Sequence, residues 1–238
     1  MVDSIHKFDV KLENERVKLV PFIHPTHSQL MLDAHPPDTL YDLLPLGPFT
    51  SVDQFYSSFY SRRIEPNPLT DSLFAVFDKT RAPDAPEKED GTTFAGMIGF
   101  LGTSFANLST EIAYVVTLPA FQRTHVTGNA IGLLMKYALD TPDNGGLGLR
   151  RVQWCASTSN PKSANAAKRM EFVQEGIRRW NWVLSEEQGF LGGNGKALRE
   201  GDPRPDCVGR DSYVLSVCWD DWENGVRELV EKSMNRKV

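Results

Sequence analysis

The chain has few cysteines and no pattern among them. Cys155, Cys207 and Cys218 are the three it holds, an odd number with no two at the short spacing of a zinc site. A disulfide framework and a cysteine-ligated metal are both excluded, and no bound metal is expected. Cys155 and Cys218 fall in apolar, strand-like runs and read as buried free thiols. No apolar run reaches the ~18–20 residues of a bilayer span, so no membrane partner is expected. The N-terminal stretch MVDSIHKFDVKLENERVKLV lacks an apolar signal core. Residence in the cytoplasm, with the nucleus left open, is the expectation, and the Asn107-Leu108-Ser109 sequon is then idle. Basic clusters stop at pairs such as Arg62-Arg63 and Arg178-Arg179, within a net charge of −5. No nucleic-acid partner is expected.

What is present suits a soluble enzyme. The 238 residues are 40% hydrophobic and 24% charged, enough for one domain with a sizeable core. Strands are expected at Arg16–Pro21, Ser72–Phe77, Thr93–Phe105, Ser109–Thr117, Arg151–Ala156, Val173–Leu184 and Asp211–Cys218, about seven in all. Helices are expected near 27–34 and 38–44, after the Thr50-Ser51 cap, from Gly128 onward, at 162–172 and at 219–235. The last of these places Trp222, Val226, Leu229 and Val230 on its inner face. Residues 1–12 read as a loose arm, and 79–92 as exposed, Pro-rich loop. Residues 185–208 form a long Gly- and Pro-rich insertion. The pattern is one α/β (α+β) domain, 1–238, on a mixed sheet.

The chain is organised around residues 111–138. Ile112-Ala113-Tyr114-Val115-Val116 is an apolar, β-branched and aromatic run bounded by Leu118-Pro119, which predicts a strand buried on both faces. Gln122-Arg123-Thr124-His125-Val126-Thr127-Gly128 then leads into a helix with Ala130, Leu133, Leu134, Tyr137 and Ala138 on one stripe. A polar loop feeding a helix N-terminus is an anion site, because its amides lack acceptors and the helix dipole favours negative charge. A phosphate-bearing ligand is expected there.

Strand, Gln122–Thr127 loop, helix, strand, then Asn160-Pro161-Lys162-Ser163 resembles the GNAT N-acetyltransferase superfamily, and within it the RimJ/RimL-like branch. The resemblance runs from RVKLVP and LPLGPFTSVDQF to Gly209-Arg210-Asp211, Trp219 and Trp222. It implies the GNAT fold, a mostly antiparallel twisted sheet flanked by helices, and acetyl-CoA as co-substrate. The other partner implied is an amine acceptor; monomer and homodimer both stay open. In that family the loop reads Gln/Arg-x-x-Gly-x-Gly/Ala and holds the coenzyme A pyrophosphate on its amides. Gln122 fills the first position; His125 and Thr127 replace the glycines that allow close approach. Arg123, Thr124 and Thr127 add side-chain donors, and Val115, Val116, Thr117, Val126 and Gly128 complete the implied cofactor-binding stretch.

The resemblance also implies roles for single residues. Asn160 would bind the pantetheine arm. Ser163 would protonate the departing thiolate, or serve as a helix cap. Some branches place a tyrosine acid where this chain has Ala167, and the usual Gly-Phe at the helix end is Glu171-Phe172. Glu111, eleven residues before Gln122, stands at the spacing of a GNAT general base; a salt-bridged strand glutamate is the plainer reading. A protonated amine must lose its proton before it attacks, which a carboxylate can accomplish. A backbone N–H near Val115 or Val116 would hold the oxyanion. Trp180 and Trp182, at i and i+2, would share one strand face and wall the acceptor by cation–π contact, or pack the core. Arg210-Asp211 reads as a local structural pair. The implied activity is direct acetyl transfer to a primary amine of a small molecule or peptide. The alternative is a non-catalytic acyl-CoA-binding module.

Overall fold

The computed structural model describes residues 12–81, 91–184 and 190–236. Eight strands form one sheet, ordered β1-β2-β3-β4-β5-β6-β8-β7. They are β1 Leu12–Glu13, β2 Val17–Pro21, β3 Ser72–Asp78, β4 Thr93–Ser104, β5 Ser109–Thr117, β6 Arg151–Ser157, β7 Val173–Leu184 and β8 Val208–Cys218. All neighbours are antiparallel except β5 and β6. The strand beyond the expected seven is β1, two residues paired to Leu19 and Lys18 of β2 at the end of the supposed loose arm. So short an element carries no periodicity to read. The expected loop at 79–92 and the insertion at 185–208 lie partly outside the described residues.

Helices cover the sheet. They are α1 Thr26–Asp33, α2 Val52–Phe55, running through a π turn at Tyr56–Tyr60 into α3 Ser61–Arg63, α4 His125–Leu139, α5 Pro161–Lys168, and α6 Trp219–Asp221, followed by a second π turn and α7 Arg227–Asn235. Ser51 caps α2 through Gln54 N at 3.0 Å, and Phe55 and Phe59 fill the core beneath it. The expected helix at 38–44 is a single 3-10 turn at Asp38–Leu40. The stripe of α4 is buried as its spacing requires, Ala130, Leu134, Tyr137 and Ala138 among it.

Three packing expectations are corrected. β5 is not buried on both faces: Thr110, Ile112 and Val116 enter the core, while Glu111, Ala113 and Val115 are only partly covered. Leu229 of the last helix is 47% exposed. Gly225, at φ 114°, breaks the helix, and Val230 and Met234 become the inward residues of α7. The helix at 162–172 ends at Lys168. It closes in a Schellman arrangement, with Phe172 N on Ala167 O at 3.2 Å and Glu171 N on Lys168 O at 3.1 Å.

Glu171 takes the left-handed position of that motif, at φ 67°, where the resemblance implies a glycine. A Cβ there is strained. Glu171→Gly is therefore expected to stabilise the fold by about 1 kcal/mol, read as a higher urea midpoint at unchanged slope. A lower midpoint would contradict this account of the helix end.

Candidate active site

The site begins with a break in the sheet. β5 and β6 pair only through Ser109–Glu111 and Arg151–Gln153. Three residues on, β5 bulges: Gly99 faces Ala113 but Met97 faces Val116, so β5 carries one residue more than β4, and Tyr114 sits at φ 56°. A bulge bends its strand and sharpens the twist. Tyr114 is held at the kink by Phe59, ring centroids 5.3 Å apart, and by its hydroxyl on Asp71 Oδ2 at 3.2 Å. Asp71 is itself buried and accepts from Gly102 N at 2.9 Å. Beyond Glu111, then, the edge of β5 that faces β6 has no ladder, and its backbone groups are left for something else.

A cavity of about 100 Å³ opens in this fork. Ala113 and Val115 form one arm, and Trp154 to Ser157 the other. Asn160, the N-cap of α5, and Ser163 in its first turn close one side. Leu43–Leu46, Phe59 and Arg63 form the roof, with Trp182 and Arg210 from β7 and β8. Glu111 and Ser163, chosen from opposite ends of the sequence motif, thus face one space. Val116 does not; it is core, 2% exposed, in register with Met97.

Each side chain has a defined hydrogen-bonding state. Gln153 Nε2 donates to Glu111 Oε2 at 3.1 Å. Burial pushes the Glu111 carboxyl above the ordinary range, partly countered by bonds from Cys155 and Gln153 and by the charges of Arg178 and Arg210. The Cys155 thiol is pushed up to about 12, by burial first and then by Glu111. A thiol held that high is protonated at neutral pH. Asn160 is the helix cap, accepting from Ser163 N at 3.1 Å, so Ser163 is not the cap. Trp154 Nε1 donates to Ser163 Oγ at 3.1 Å. Because an indole can only donate, Ser163 must accept there, and its own proton is free to point elsewhere.

The loop lies beyond the cavity, past the C-terminal end of β5. Thr124 caps α4, accepting from Val126 N at 3.3 Å, and Gln122 Nε2 returns to Thr117 O at 3.0 Å. Thr117 and Thr127 join hydroxyls at 2.8 Å. His125 and Thr127 are helical, so neither needs a glycine's freedom; the left-handed residue is Arg123, at φ 60° and exposed. His125 turns onto Asp78 Oδ1 of β3 at 3.3 Å. Burial lowers its pKa, with Asp78 opposing.

The two tryptophans part company. A register shift between Arg178 and Trp182 separates their faces. Trp182 lines the cavity with Arg63 Cζ 4.9 Å from its ring, so one face is already occupied. Trp180 packs on Gly209, where a Cβ would stand 2.1 Å from the ring, and is not part of the cavity wall. Arg210 and Asp211 do not pair. Asp211 binds Lys196, Asn194 and Trp180 N, which hold its carboxyl at about 2. Arg210 points the other way, into the cavity. Strand alternation placed them on opposite faces and was the available signal. One further cluster, Cys218, Asp220 and Asp221, brings three donor atoms within 4.8 Å at the N-terminus of α6. Asp221 is engaged there with Cys218 N at 3.0 Å.

A mixed sheet that forks at a β5 bulge beside the capped start of α4 is the frame of the site. The family model described as "Acetyltransferase (GNAT) domain" matches residues 16–173, and the chain belongs to that family. It is similar to a probable acetyltransferase of the GNAT family from Chromobacterium violaceum, 25% identical over 90% of this chain and 88% of the other, at TM-score 0.68. A GCN5-related N-acetyltransferase from Brucella melitensis is 22% identical, over 96% of this chain and 86% of the other, at TM-score 0.72. A spermidine N-acetyltransferase from Vibrio cholerae, solved with CoA and spermine, is 14% identical, over 89% and 100%, at TM-score 0.57. No curated protein matches the chain by sequence. Among the described residues no helix is long and apolar enough to cross a membrane.

The raised carboxyl of Glu111 sets a pH dependence. A carboxylate that takes a proton from an amine must first be ionised, so in that role Glu111 would make kcat/KM rise with pH through its pKa, above the ordinary carboxylate range. Glu111→Gln should lower kcat by about 10²–10⁴ and remove that acid limb. An unchanged profile in the variant would take the base role from Glu111.

Proposed function

We propose that the chain is an acetyl-CoA-dependent N-acetyltransferase that passes the acetyl group directly to a primary amine. The observation that carries this reading is the placement of Glu111 and Ser163 on one cavity at the fork of β5 and β6. The surrounding groups fit the co-substrate. The first-turn amides of α4 other than Val126 N, which Thr124 caps, and the exposed Arg123 offer an anion site for its diphosphate. Asn160 spends its carbonyl oxygen on Ser163 N and keeps its amide N–H groups for the pantetheine arm. The Ser163 site, with alanine rather than tyrosine at Ala167, supports the RimJ/RimL-like branch.

Acetyl-CoA supplies an activated acyl carbon and a thiolate leaving group. Glu111 takes the amine proton, directly or through a water. The free backbone edge of β5 around Ala113–Val115 stabilises the oxyanion as the C–N bond forms. Ser163 gives its proton to sulfur as the C–S bond breaks, and the Trp154 indole keeps its hydroxyl aimed for this. Cys155, held as a thiol by burial, favours direct transfer over an acyl-cysteine.

The test is acetylation of a panel of amines, read by mass spectrometry: polyamines, amino acids, aminosugars and peptide N-termini. Transfer to one class is expected, and Cys155→Ala should stay within about tenfold of the parent rate. Tight CoA binding without turnover on any amine would favour the non-catalytic module instead. Loss of turnover in Cys155→Ala by 10³ or more would point to an acyl-cysteine.

A further inference from the structure

Among the described residues three charged side chains line the cavity: Glu111, Arg63 and Arg210. Arg63 is spent on the Trp182 ring. Arg210 is different. It is 5% exposed, its Nε has no hydrogen-bond partner, and among the described residues its guanidinium makes no ion pair. Burial pulls its pKa down, with the fields of Cys155 and Glu111 opposing. Buried arginines are otherwise paired, because a desolvated cation without an acceptor is costly. Its neighbour Asp211, the obvious partner, is committed on the opposite face of β8 to Lys196 and Asn194.

We infer that Arg210 is a recognition site for a carboxylate carried by the acceptor, so that the substrate is an amino-acid-like amine. This rests on the reading of the cavity as an acceptor site. A guanidinium fork matches a carboxylate in two parallel bonds. The same cavity holds the base, so Glu111 meets the amine of a zwitterion while Arg210 meets its acid. Two cationic side chains against one carboxylate make the cavity unsuited to a polyamine, whose every added ammonium meets like charge. The carboxylate belongs to a free amino acid or to an acidic residue opening a peptide; the chemistry read is the same.

Two readouts test this with the full chain. In the first, arginine-labelled protein is titrated with N-acetylglycine, N-acetylalanine and their primary amides, following the Arg210 Nε resonance. The acids should shift it saturably and the amides should not, with the signal absent in Arg210→Gln. In the second, free amino acids, their amides, glutamyl peptides and spermidine compete for acetyl-CoA. Carboxylates should exceed matched amides in kcat/KM by roughly 10²-fold. Arg210→Gln should erase that preference, and Arg210→Lys, which keeps charge without the fork, should restore part of it. Glutamyl peptides above free amino acids would place the carboxylate in a peptide. Acids that bind at Arg210 without being acetylated would sink the enzyme reading and leave the anion site. Amides or spermidine acetylated as fast as acids, with no Nε response, would overturn the anion site and leave the enzyme.

Discussion

At Tyr114 the β4–β5 ladder takes in an extra residue, and the strand that bends there can no longer run beside β6. The rest of the site depends on that divergence. It opens the cavity, exposes one edge of β5 backbone, and brings α5 opposite β5 so that Ser163 and Glu111 share a space. The kink is held from behind, by Phe59 against the Tyr114 ring and by Asp71 on its hydroxyl. Gly96, at φ 141°, lets β4 come close enough to keep Val116 in register, since a Cβ there would lie 2.0 Å from Val116 O. A sheet defect is thus fixed by a hydrogen bond to a buried aspartate and by a bare backbone.

Burial then sets the protonation states inside the fork. The same desolvation that keeps Cys155 a thiol raises the Glu111 carboxyl toward the range of a working base. It also leaves Arg210 as a cation with no partner of its own. One physical cause therefore raises the Glu111 carboxyl, keeps the Cys155 thiol protonated and leaves the Arg210 Nε without an acceptor.

Much of this was legible in the residues. The bounds of β5 were read as Ser109–Thr117, because Leu118-Pro119 closes an apolar run, and they match. Asn160, Ser163 and Val115 came from the family resemblance and Glu111 from its spacing before Gln122, and all four line the cavity. What escaped has physical reasons. The bulge is a property of pairing between two strands, so a strand read alone looked buried on both faces. The bulge in β7 likewise split Trp180 from Trp182, which simple alternation had joined. His125 and Thr127 replace the glycines that the resemblance implies, yet both are helical and the left-handed turn falls on Arg123. Arg210 was misjudged because a neighbouring aspartate suggested a pair, although adjacent strand residues point apart.

The central claim is that the fork and the start of α4 together form one acetyl-CoA site. A crystal structure of the chain with CoA tests it most directly. The account predicts the diphosphate on the first-turn amides of α4 near Arg123, the pantetheine arm beside Asn160, and the sulfur between the free edge of β5 and Ser163. CoA bound away from the fork, with β5 and β6 zipped together beyond Glu111, would contradict it.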